Sequence, residues 1–324
     1  MRTVITVDSH DSAKGTLRAL SHLKHIDQKI LFHEKYNRRH PLAVYSISIG
    51  RICGKIKKTT EKLEKLWISS SNIEKMMENG DIIDEIIDYL ELNFYSAAEH
   101  VDDIKHIVSS LFKTKESCIT SKKYKKFVAD LKPLRDEIAS FANTIKHNHG
   151  RVRPYMLQFL HCGKNIVLIG FFIEGVNENK LCPCPVLHSK KRIISVTSFL
   201  WSIIVYVWQT SNLTAKFIEE IGGVDSDEVS LIPAPAFCDA VLSLSRLPLY
   251  SFDDTHPFAT TTVLPRFGES RELDQNQVYG SFGNPWQKSD DGEFKGDFLM
   301  YGGDGVSNEF ELVRPERWEI RHWE

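Results

Sequence analysis

Residues 81–111 read DIIDEIIDYLELNFYSAAEHVDDIKHIVSSL, and the apolar residues Ile83, Ile86, Leu90, Phe94, Ala97, Val101, Ile104, Val108 and Leu111 recur every three or four positions through the whole stretch. That spacing keeps one face of an α-helix apolar for about eight turns. Asp81 opens the run and Lys113 and Lys115 follow its end, which places charge of the favourable sign at each pole of the helix dipole. Asp84, Glu85, Asp88, Glu91, Asp102 and Asp103 form the wet face of this helix, with Glu91 and Glu99 placed to answer lysines of a neighbour. A helix this long and this regular needs partners of the same kind, so the chain reads as mainly α.

Working outward towards the carboxyl end, Lys113, Lys115, Lys122, Lys123, Lys125 and Lys126 crowd around a turn. They read either as a solvated helix end or as an anion-binding patch. Tyr124, Phe127, Val128 and Leu131 then make a second apolar face, and Pro133, with Asp130 as a cap, restarts a helix that continues through Leu134, Ile138, Phe141 and Ile145 to a stop at Gly150. Residues 165–173, NIVLIGFFI, are too short and too β-branched for another such helix. With a polar turn at Asn177–Asn179 and the segment Leu181–Leu187, they predict a two-stranded hairpin inserted near 165–188. Residues 193–221 are apolar nearly all round, which fits a buried core helix or a dimer seam. A membrane span flanked by Lys190, Lys191 and Arg192 is the competing reading, disfavoured by Ser195, Thr197, Ser198 and Ser202 inside the run. Gly222 and Gly223 end it.

On the amino side, Ser12 to Lys65 is irregular and punctuated by Pro41, Gly50 and Gly54, which predicts short helices with polar connections. Beyond Pro233 and Pro235, read as a linker, a short helix covers Phe237–Arg246. Strands are expected at Leu249–Phe252, Thr260–Leu264, Phe298–Tyr301 and Phe310–Val313. The organisation expected is a helical domain over 1–230 carrying the hairpin, followed by a small β-rich module over 231–324.

The 324 residues are 42% hydrophobic and 26% charged, a balance that excludes disordered and collagen-like chains. Six cysteines are too few for a disulfide scaffold, and the opening MRTVITVDSHD lacks the apolar stretch of a secretory signal, so a reducing cytoplasm is the expected compartment. Residues 1–154 carry 27 basic and 20 acidic side chains against 14 and 23 in the remainder, so the amino half is the one suited to a polyanion. No GxxxxGK[ST], HExxH, GxSxG or strand-to-helix GxGxxG occurs, which removes the usual signatures of nucleotide hydrolysis and zinc proteolysis. The cluster Gly302-Gly303-Asp304-Gly305 reads as a hairpin turn rather than a phosphate cradle.

The chemically dense segment is Phe141-Ala-Asn-Thr-Ile-Lys-His-Asn-His-Gly-Arg151. Asn143 and His147 are four apart and share one helix face, with Lys146, His149, Arg151 and Arg153 close by. Metal-independent RNA cleavage needs such a set: a base for the 2′-hydroxyl proton and cations to steady the charge on phosphorus. A polar helix end whose histidines cap carbonyls or face water has the same composition.

This segment, with the helix pattern over about residues 60–221, resembles the HEPN family, small helical bundles found among toxin-antitoxin, abortive-infection and CRISPR-associated ribonucleases. The family motif is an arginine, then a polar residue such as asparagine, then a short spacer ending in histidine. Asn143 matches the polar position and His147 the histidine, whereas the arginine position holds Ala142. The resemblance implies an RNA-directed effector of toxin or phage-defence type, with His147 as acid-base group, Asn143 orienting it, the neighbouring cations on phosphate, no metal cofactor, and a site completed across a homodimer. The departure at Ala142 implies the alternative, a catalytically degenerate binding or scaffold protein that holds a partner chain.

Two further clusters stand apart. His161, Cys162, Cys182, Cys184 and His188 bracket the predicted hairpin, which would bring them together as incidental thiols or as a zinc site of Cys162, Cys182, Cys184 and His188. His22, His25, His33 and His40, with Glu34, are too unevenly spaced for a shared metal and read as solvated.

Overall fold

The computed structural model describes residues 3–7, 16–70, 73–147, 150–161, 164–177, 180–188, 193–222, 224, 229–247, 249–251, 261–263, 277–280, 298–300 and 317–319. In chain order the elements are β1 (Thr3–Val7), α1 (Arg18–His25), α2 (Pro41–Ser69), α3 (Ile73–Met77), α4 (Gly80–Ser109), α5 (Lys115–Thr120), α6 (Lys122–His147), β2 (Val152–His161), β3 (Lys164–Asn177), β4 (Lys180–Pro183), β5 (Ile194–Ser195), α7 (Val196–Glu220), α8 (Pro235–Ser245), β6 (Leu249–Ser251), β7 (Thr261–Val263), β8 (Gln277–Gly280), β9 (Phe298–Met300) and β10 (Arg317–Glu319). The protein is mainly α, a helical bundle with a small antiparallel sheet.

The periodic run opening at Ile83 becomes α4, with Ile83, Ile86, Leu90, Phe94, Ala97, Val101, Ile104 and Val108 all buried. Its main partner is α2, where short helices were expected and one helix of 29 residues stands. Pro41 is the first residue of α2, where its missing N–H costs nothing, and the His40 ring accepts from the Leu42 N–H as an N-cap. Gly50 and Gly54 lie inside α2 on its exposed side; burial of Tyr45, Ile49, Ile52, Ile56, Leu63 and Leu66 on the other side overrides their poor helix propensity. Similarly, Pro133 lies inside a continuous α6 and starts no new helix. Phe127, Leu131, Ile138, Phe141 and Ile145 are buried on both sides of it, so packing spans the interruption.

Helix α7 runs through the middle, touching α1, α4, α6 and α8, and Val196, Phe199, Leu200, Ile203, Ile204, Val207 and Ile218 are buried within this one chain. The all-round apolar helix is therefore a core helix, its apolar surface covered within this chain. Among the described residues no helix is long and apolar enough to cross a membrane. Gly222 ends α7 at φ +77°, a left-handed conformation that favours glycine. Pro235, expected in a linker, is the first residue of α8.

The hairpin is larger than expected. β2 pairs antiparallel with β3 from Val152↔Ile173 to His161↔Lys164, β3 pairs with β4, and β9 lies on the other edge of β2. β2 escapes the sequence reading because Arg151, Arg153 and Pro154 resemble a charged turn, although Val152 to Met156 are all buried in the strand. The turn expected at Asn177–Asn179 falls where β3 ends and β4 begins, with 178 and 179 outside the described residues. In the carboxyl region β6, β7 and β9 coincide with expected strands; Phe310–Val313 and the turn at Gly302–Gly305 lie outside the described residues. β1 pairs in parallel with β7 and β8, and β6 with β10.

Candidate functional site at the corner of helix six and strand two

The last turn of α6 divides its side chains sharply. Phe141, Ala142 and Ile145 are buried, while Asn143, Lys146 and His147 are exposed, as expected for residues on opposite faces of one helix. Phe141 stacks on Phe94 of α4 with ring centroids 5.5 Å apart, so the inward face of this turn is fixed by the core. The chain then turns into β2 at Gly150, whose N–H donates to the Thr144 carbonyl at 3.2 Å. A Cβ at Gly150 would stand 3.0 Å from Ile173 Cγ2 and 3.2 Å from Thr144 Cγ2, so a side chain at this corner would press on both methyl groups.

The predicted phosphate contacts separate into two kinds. Lys146 and Arg151 are exposed. Arg153 is buried, and its Nε donates to Glu174 Oε2 at 2.7 Å across the β2–β3 pair. A half-buried to buried ion pair of this geometry holds the guanidinium where it is, so Arg153 serves the sheet and is withdrawn from the phosphate-contact set. His149 lies outside the described residues.

One carboxylate joins the corner unannounced by the sequence. Glu91 of α4 is half-buried and forms a hydrogen bond with the backbone of Val152 at the start of β2. Burial pushes its carboxyl above the usual range; the Val152 bond opposes this and the nearby Asp88 reinforces it. The sequence pattern places Glu91 on the wet face of its helix, and only the unforeseen crossing of β2 over α4 covers it. No family model, curated protein or solved structure matches the chain.

The backbone places His161 and Cys182 far apart along the sheet. His161 pairs with Lys164 at one end of β3 and Cys182 with Gly175, eleven residues along the same strand, a separation of about 36 Å in an extended chain. Cys162 itself lies outside the described residues. His188 is buried with Nε2 accepting from the Ile173 N–H at 3.0 Å, while the Cys184 N–H donates to the Ile173 carbonyl at 2.8 Å. Together they complete the backbone bonding of β3 beneath the last turn of α6, where the His188 ring meets the edge of Phe141 at 5.8 Å. Among the described residues no group of three or more His, Cys, Asp or Glu side chains is arranged to hold a metal.

The amino-terminal histidines also divide. His22, expected in solvent, is buried against α7, with Nδ1 at 2.8 Å from the Arg18 carbonyl and Nε2 at 2.6 Å from Glu219 Oε1. His33 and His40 meet edge to face at 4.9 Å, and burial with the His33 charge lowers the His40 ring below its ordinary value.

Proposed function

We propose that this protein is a HEPN-like helical binding protein that holds RNA at the α6–β2 corner without cleaving it. The observation that carries this reading is the orientation of position 142. Where the resembled family has its arginine, this chain has an alanine turned into the core beside Phe141 and Ile145. Cleavage at phosphorus needs a cation held in place for the transition state. Arg153 is committed to Glu174, and the exposed Lys146 is a long side chain at the surface, suited to steering and holding a phosphate, with Arg151 exposed beside it. Asn143 and His147 on the same exposed face add hydrogen-bond donors for phosphate or sugar.

The test is fluorescence anisotropy of labelled RNA over a salt series, together with product-end mapping after incubation in EDTA. Saturable binding that weakens with salt, is lost in Lys146→Glu/Arg151→Glu, and leaves the RNA intact is expected. Cyclic phosphate ends that disappear in His147→Ala would establish the metal-independent endoribonuclease instead. Failure to bind RNA at low salt would overturn the RNA reading and leave a scaffold for a partner chain.

A further inference from the structure

The corner is one end of a longer exposed face. Lys122, Lys125, Lys132, Asn143 and His147 of α6 are all exposed, and at 100° per residue they fall within an arc of about 80° on the helix surface. From Lys122 to His147 the line is about 38 Å long. On α2 several cations are engaged, Lys57 and Lys62 reaching Asp239 and Glu85, and Arg51 reaching Glu99 and Asp103. On α6, Lys123 and Lys126 lean towards α7, the first donating to the Glu220 carbonyl and the second 4.0 Å from its carboxylate. Lys122, Lys125, Lys132 and Lys146 have no carboxylate in ion-pair range among the described residues. Asp136 is the acid that interrupts the line, and Arg135 stands 3.8 Å from it.

We propose that this line is a track for the sugar-phosphate backbone of double-stranded RNA, an inference that rests on the RNA reading of the corner and names its substrate class. Single-stranded nucleic acid is held by stacking bases on exposed aromatic rings as well as by charge, whereas duplex RNA is recognised by its phosphates and its shape. The aromatic residues of α6 point away from the line: Phe127 and Phe141 are buried, and Tyr124 is half-buried against Phe112 at 6.1 Å. Lys122, Lys125 and Lys132, aligned over about 15 Å with no carboxylate in range among the described residues, continue into Asn143 and His147 without a stacking surface, which suits the phosphates of a rigid duplex. An anionic membrane would call for apolar side chains beside the lysines to enter the bilayer, and the apolar face of α6 is spent on the core.

The test compares an RNA duplex of about 20 base pairs with one of its strands, binding each to the wild type, to Lys122→Gln/Lys125→Gln/Lys132→Gln and to Lys146→Gln/Arg151→Gln, with far-UV circular dichroism to verify folding. The wild type is expected to prefer the duplex. The triple variant is expected to lose at least about tenfold in affinity and to lower the slope of log K against log salt by about 3. Duplex binding by the triple variant equal to wild type, with the corner variant weakened, overturns the track and leaves the corner reading standing. Preference for the single strand also overturns the duplex assignment. If the wild type binds neither RNA, the corner reading falls first; binding to phosphatidylserine vesicles that the triple variant has lost would then assign the lysines to a membrane surface.

Discussion

His100 sits at zero exposure between α2, α4 and α7, and its protonation state can be read from its neighbours. The Thr210 hydroxyl donates to the Tyr206 carbonyl at 2.9 Å, so it accepts from His100 Nε2 at 3.2 Å, and Nδ1 at 2.9 Å from Ser48 Oγ takes the serine proton. This is a neutral imidazole with each nitrogen matched. Burial, with a smaller contribution from the Arg51 charge, pushes its pKa down to about 3. The unfolded chain takes up a proton near pH 6.5 that the folded chain refuses, so the stability His100 supports is complete above pH 6.5 and falls as pH drops towards 3, by about 1.4 kcal/mol per unit. Urea unfolding between pH 7.5 and 4.5 should show His100→Gln less stable than wild type at neutral pH and the gap closing in acid. A gap independent of pH would refute the assignment. At the same scale, the candidate site is half legible in the sequence: Asn143, His147 and the absence of arginine at 142 are visible, but a string of letters does not show that position 142 points inward or that Glu174 claims Arg153.

At the scale of the element, α2 carries an avoidable weakness. Gly50 and Gly54 are both exposed within the helix, and a Cβ added at either meets nothing within 4 Å. Neither glycine is required by turn, contact or positive φ, so each gives the unfolded chain extra freedom without a structural return. Gly50→Ala and Gly54→Ala should each stabilise the protein by about 0.5–1 kcal/mol, and their double variant by nearly the sum, read as a higher urea midpoint at unchanged slope. No gain, or a loss, would mean that this side of α2 is covered in solution. These glycines and Pro133 also explain where element boundaries were misread. Propensity argues for a break at each, while the tertiary contacts of Ile49, Ile52 and Ile56 on one helix and of Leu131 and Ile138 on the other carry the helix through. α4 and α7 were legible because their apolar pattern and their packing agree.

For the whole molecule the decisive question is whether helices and sheet form one cooperative unit. Phe94 of α4 lies 5.5 Å from Phe141 of α6, 5.8 Å from Phe171 of β3 and 4.3 Å from Phe199 of α7, so one ring joins three helices to the central strand. Trp67 of α2 adds a second tie by donating from its indole nitrogen to the Val167 carbonyl of β3 at 2.9 Å. Such cross-links make it costly to melt the sheet while the bundle stands, because either half alone would expose buried aromatic surface. Phe94→Ala should therefore destabilise by about 3–5 kcal/mol and should do so globally. Helical circular dichroism and the fluorescence contributed by Trp67, taken as the difference between each protein and its Trp67→Phe counterpart, should move together in wild type and variant alike, at a lower midpoint in the variant, since Trp67 reports on the helix-to-sheet contact. Separated transitions, with fluorescence lost before helicity, would show instead that the sheet is an independent layer. The α6–β2 corner would then be a junction between two units of unequal stability, and the RNA reading of that corner would have to accommodate a site whose two walls can part.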